Sequence, residues 1–241
     1  MSQFLSGFGI VIAYFVVFVS IIIPIRKLFP PKSERFRKTL HMGVLFSIFI
    51  FLYAFKVWWH AVFACIVLII LIFPILHFAE RLKGYATLLV QRKPNEVKWS
   101  MIQIFVAFSI VLTVGWGLFD SGYLAVASIF TWGFGDAAAA LVGKRFGKHK
   151  LQGRLIEGVK SVEGTVAMAV VAFFACSAVL LVKGATVWYI SLLAAAVAAI
   201  VASVVELYTR NGADTITCPL ASLVVLTGIL WAFGSIAPVW L

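Results

Sequence analysis

Apolar residues run along this chain in blocks of about 20, separated by short polar segments. At 1.5 Å per residue, a helix of about 20 apolar residues crosses a hydrocarbon core of about 30 Å. The first block runs from Leu5 to Ile23 and closes at Pro24. From His41 to Ala79 the chain is apolar for about two bilayer thicknesses, interrupted by Lys56 and the pair Trp58-Trp59. A lysine beside paired tryptophans suits an interfacial turn, so this stretch reads as two spans. Five more blocks follow: Ser100 to Leu118, Tyr123 to Val142, Val162 to Val182, Thr186 to Val205 and Pro219 to Val239. Asp120-Ser121-Gly122 and Lys183-Gly184 read as tight turns between them. The pattern predicts an all-α fold, a polytopic bundle of about eight transmembrane helices forming a single integral membrane domain over residues 1–241.

Composition agrees. The chain is 63% hydrophobic and 12% charged, with a mean hydropathy of +1.08. A water-facing surface cannot absorb that much apolar area in a domain of this size. Met1-Ser2-Gln3 carries no basic region before the first block, which reads as a retained span and not a signal peptide. Cys65, Cys176 and Cys218 lie in or beside apolar runs without a CxxC pair, so they are expected to be buried apolar side chains.

The net charge of +11 changes the picture through its distribution. Eighteen of the twenty Lys and Arg residues fall in the first, third, fifth and seventh loops; only Lys56 and Lys183 fall in the others. Basic residues mark cytoplasmic loops, so the odd loops are expected inside and both termini on the non-cytoplasmic side. The same rule explains the charge without nucleic acid, which is not an expected partner. In a prokaryote the membrane would be the inner or plasma membrane.

Against this background Asp136 is conspicuous. It lies in the cytoplasmic half of the fifth block, where an ionised carboxylate requires a partner, metal or water. Gly135, Ala139 and Gly143 share one helix face and equally suit close helix packing. The stretch Gly143 to Gly164 mixes glycines with Lys144, Arg145, Lys160 and Ser161, just before the sixth span. Glycine-rich turns and helix N-termini bind phosphate, while a plain basic cytoplasmic loop also accounts for the charge. Glu206 and Asp214, in the seventh loop, are placed to meet Asp136. Such carboxylates suit Mg²⁺ beside a phosphate site, or simply solvate helix ends. Arg37, Lys38 and His41, where the second span begins, read as boundary anchors on pattern alone.

Four blocks give a family resemblance. They are Arg37-Lys38-x-x-His41; Gly135-Asp136-x-x-Ala139 with Val142-Gly143-Lys144-Arg145-Phe146-Gly147; Lys160-Ser161-x-Glu163-Gly164; and Glu206 with Asp214-x-x-Thr217-x-Pro219. In this order they resemble the CTP-dependent lipid-alcohol kinases, the group of phytol kinase, dolichol kinase and CTP-dependent diacylglycerol kinase. The middle two blocks are also similar to CTP:phosphatidate cytidylyltransferase, but the Pro-Gly-His-Gly-Gly run of that family is missing. Thr215 stands where the kinases often carry Asn. The resemblance implies transfer of the γ-phosphoryl of CTP, with Mg²⁺, to a membrane-embedded alcohol: a prenol, phytol, a polyprenol or diacylglycerol. It implies that Asp136 holds Mg²⁺, with Glu206 or Asp214 as second ligand or base. Lys160, with Lys144 and Arg145 behind it, would neutralise the triphosphate. Gly135, Gly143, Gly158, Ser161 and Gly164 would border the nucleotide, and Glu163 would orient Lys160. A lipid nucleotidyltransferase is the alternative, and a transporter the second, because intramembrane aspartates also mark ion pathways.

Overall fold

The computed structural model describes residues 2–30, 33–153, 156, 159–210 and 212–240. Among the described residues nine α-helices are present: α1 (Ser2–Ile25), α2 (Glu34–Ala54), α3 (Trp58–Ala79), the short α4 (Tyr85–Leu88), α5 (Glu96–Val111), α6 (Gly122–Phe146), α7 (Val162–Lys183), α8 (Trp188–Tyr208) and α9 (Asp214–Ala232). A π-helical stretch, Leu112–Leu118, follows α5. Eight helices among the described residues are long and apolar enough to cross a membrane. Among the described residues the only strands are β1 (Lys150–Leu151) and β2 (Lys160–Ser161), an antiparallel ribbon with Lys150 opposite Ser161.

The expected spans are all present, but their ends differ. The second begins at Glu34 rather than His41, placing Arg37, Lys38 and His41 on a helix. Ser33 caps it by accepting the Phe36 N–H, and Glu34 in the first turn complements the helix dipole. The fifth runs on to Phe146, so Gly143, Lys144 and Arg145 are helical and not loop residues. The two cations sit where the dipole favours positive charge. The eighth spans Asp214–Ala232 instead of Pro219–Val239, and it contains Pro219. In each case the helix continues beyond its apolar stretch, because backbone hydrogen bonds still favour it in the interfacial layer.

The chain divides into two compact units, residues 1–109 and 110–241. In the first, Arg26 ties the first loop to the third. Its guanidinium donates to the carbonyls of Thr87 and Leu88, at 3.1 Å each, and to Phe29 at 2.9 Å, and lies over the Phe36 ring. Arg37 pairs with Glu34 at 2.5 Å and Glu96 at 3.4 Å, and Arg92 also reaches Glu34. Lys98, buried, pairs with Glu80 at 3.6 Å. Phe4 of α1 meets His60 and Phe63 past the second loop.

In the second unit α6 packs on α7, α8 and α9, and α7–α8 and α8–α9 are also neighbours. Small residues set the α6–α7 approach. A Cβ at Gly135 would come within 2.9 Å of Met168, and one at Gly164 within 3.0 Å of the Ala139 carbonyl oxygen. The fourth and sixth loops lie at one end, where Val239 N–H donates to Leu118 O at 2.8 Å and Ser235 Oγ to Thr186 Oγ1 at 2.7 Å. The ends of α6, α8 and the starts of α7, α9 gather at the other. Large apolar side chains such as Val166, Phe174 and Val224 face outward, as helices solvated by acyl chains require.

Candidate functional site

The charged end of the second unit brings together most of the residues expected to act. Ser161 caps α7: its Oγ accepts from Gly164 N–H at 3.2 Å, fixing where the helix begins. The ribbon just before it carries Lys160, and pairing with β1 turns this residue back across the unit. The Lys160 ammonium reaches α8, where it pairs with the Glu206 carboxylate at 3.1 Å and also donates to the Glu206 main-chain carbonyl. Both side chains are more than four-fifths buried. The lysine thus neutralises a carboxylate and caps a helix C-terminus at once.

Asp214 opens α9, where the helix dipole favours its charge. Its Oδ2 accepts from the indole Nε1 of Trp132 at 3.5 Å. Trp132 stands one turn before Asp136 on α6, so α6 and α9 bring the neighbourhoods of both aspartates together. Cys218, one turn into α9, is buried, and its Sγ lies 3.7 Å from the Ala202 carbonyl oxygen of α8. The three expected carboxylates thus lie on mutually packed helices, Asp136 on α6, Glu206 on α8 and Asp214 on α9. Among the described residues they do not close into a cage of three metal-ligating side chains. The donor set is all oxygen and open, which suits Mg²⁺: that ion uses one or two carboxylates and completes its shell with phosphate and water.

The other expected residues divide. Gly135 and Gly164 lie in the α6–α7 contact, and a Cβ at Gly143 would stand 3.3 Å from Ser161 Oγ. Of the two readings of this face, the structure realises helix packing directly. Lys144 and Arg145 are exposed in the last turn of α6. The resemblance implied that Glu163 orients Lys160; among the described residues its partners are different ones. Its carboxylate accepts from the main-chain N–H groups of Lys148 and His149, at 3.1 Å each, and lies 2.8 Å from His149 Nδ1. It anchors the turn that leads into the ribbon. Gly158 lies outside the described residues. Arg37, Lys38 and His41 belong to the first unit, where Lys38 is buried on α2.

Trp132 and Cys218 escaped the sequence reading. Trp132 sits at i−4 to Asp136, a spacing that could have flagged it. Nothing in the sequence points to Cys218 beyond its place one turn after Asp214. The three cysteines are buried and free, as their apolar settings suggested.

Fold and site together define a polytopic helical membrane protein with a Lys160–Glu206 pair and Asp214 where helices α7 to α9 begin or end, and Asp136 inside α6. Over 124 residues the chain is 38% identical to phytol kinase of Synechocystis sp., covering 51% of this chain and 52% of that protein. The chain thus spans about half the length of the curated relative it matches, and the similarity agrees with the kinase-like motifs. No family profile matches the chain, and no solved structure does.

Proposed function

We propose that the protein is a lipid-alcohol kinase that transfers the γ-phosphoryl of CTP, with Mg²⁺, to a membrane-embedded alcohol such as phytol. The site would lie at the cytoplasmic interface. The observation that carries this reading is the Lys160–Glu206 pair, formed where spanning helices begin and end and beside the helices that carry Asp136 and Asp214. A soluble nucleotide and a bilayer-held hydroxyl can meet at that depth, and phosphoryl transfer asks for positioning and charge neutralisation above all. The name of the similar protein, phytol kinase, supports the acceptor class.

In this mechanism Lys160 exchanges Glu206 for the β- and γ-phosphates. Asp136 and Asp214 would hold the cation, which would supply charge neutralisation for the phosphates. Glu206, released, accepts the proton of the lipid hydroxyl as its oxygen attacks the γ-phosphorus. The bond from that phosphorus to the β–γ bridging oxygen breaks, and CDP leaves beside the lipid phosphate. Ser161 and Glu163 hold the ribbon so that Lys160 faces the phosphates.

The test is radiolabelled CTP with purified protein, Mg²⁺ and a panel of prenols, phytol, polyprenols and diacylglycerol. Lipid-dependent release of CDP with label from the γ-position in the lipid is expected. Release of pyrophosphate would show cytidylyl transfer, and no lipid-dependent consumption of nucleotide would point to a transporter.

A further inference from the structure

Trp132 is buried to 1% exposure in the middle of a helix, with its indole nitrogen turned toward the first turn of another. The indole N–H can only donate, and a buried one requires an acceptor. A carboxylate oxygen of Asp214 on α9 accepts at 3.5 Å, and Trp132 itself stands one turn before Asp136 on α6. Packing alone does not ask for this nitrogen, since a phenylalanine fills much of the same space.

We infer that Trp132 is a positioning residue: its N–H holds one oxygen of Asp214, fixing the carboxylate so that the other oxygen is presented to the divalent cation. This rests on the metal role given to Asp214 under the proposed function. Groups that hydrogen-bond a metal ligand from behind typically change affinity or activity by about 10- to 100-fold when removed. The substitution Trp132→Phe removes the donor and keeps an aromatic ring.

The experiment compares wild type, Trp132→Phe, Asp214→Asn and the double variant, in detergent or nanodiscs. In Trp132→Phe the Mg²⁺ concentration for half-maximal activity should rise on the order of 10-fold, with the KM for the lipid alcohol unchanged. In the Asp214→Asn background the same substitution should add nothing, because the two groups act as a unit. A second readout needs no turnover. Mn²⁺ with CTP should quench a fraction of the tryptophan emission in wild type, and that fraction should vanish in Trp132→Phe. If Trp132→Phe does not fold, Asp214→Asn tests the contact with the indole intact: its emission should shift when the carboxylate is lost. An unchanged Mg²⁺ requirement in Trp132→Phe, or an unchanged emission in Asp214→Asn, overturns the inference. A wild type that uses cation and CTP while Trp132→Phe is indifferent overturns this inference alone. A wild type that consumes no CTP with any lipid alcohol overturns the function, and the inference with it.

Discussion

The hydrogen that stands in place of a methyl at Gly164 decides how closely α6 and α7 approach. A Cβ there would lie 3.0 Å from the Ala139 carbonyl oxygen, 3.2 Å from Ser161 Oγ and 3.3 Å from Gly143 Cα. Two of these neighbours are backbone and cannot swing aside. Gly164→Ala should therefore part the helices and cost about 1–3 kcal/mol, read as a fall in the melting temperature of the purified protein. Gly228, in the interior of α9, has nothing within 4 Å of its would-be Cβ. Gly228→Ala should be neutral or stabilising by up to about 1 kcal/mol, through helix propensity. Asp136→Asn separates function from fold at the same scale. It should abolish turnover while leaving membrane insertion and melting behaviour intact, since the amide keeps the shape and loses the charge. Retained turnover in that variant would remove Asp136 from the site.

At the scale of elements, the contact between the ribbon and the end of α8 poses a question of competition. Lys160 cannot hold Glu206 and a triphosphate equally well. Glu206→Gln removes the carboxylate charge and keeps the main-chain carbonyl to which the ammonium also donates. Partly exposed ion pairs contribute up to about 1 kcal/mol, so CTP measured without divalent cation should bind about 2- to 5-fold tighter to this variant. Turnover should fall, because the proton acceptor is gone. Weaker or unchanged binding would show that Glu206 does not hold Lys160 back from the phosphates. The sequence located these elements better than it bounded them. Hydropathy measures the hydrocarbon crossing, so it found eight spans. It was blind to the interfacial turns of α6 and α9, where Gly143 to Arg145 and Asp214 continue a helix in polar surroundings. Motifs proposed the grouping of Asp136, Lys160, Glu206 and Asp214, and the structure pairs Lys160 with Glu206. The partners were not legible: the pairing of Lys160 with Glu206 and of Glu163 with the His149 turn depends on a two-residue ribbon that no periodicity announces.

At the scale of the whole chain, the distribution of Lys and Arg predicts which loops share a side of the membrane, and within each unit alternate loops are in contact. In the first unit Arg26 joins the first loop to the third, and in the second Lys160 joins the fifth to the seventh. Exposed Trp59 and Trp188 lie beside even loops and exposed Trp99 beside an odd one, as aromatic anchors do at both interfaces. Which side faces the cytoplasm decides whether the proposed chemistry has a nucleotide to use. The three native cysteines are buried, so background labelling should be low. Single cysteines at Lys56 and Lys183 should react with a membrane-impermeant maleimide on intact cells. Cysteines at Lys83 and Lys148 should react only after permeabilisation, because eighteen of the twenty basic residues fall on their side. The reverse pattern would place Lys160 and the three carboxylates outside the cell. A kinase reading could not survive that result, since cytosolic CTP would have no access to the lysine meant to receive it.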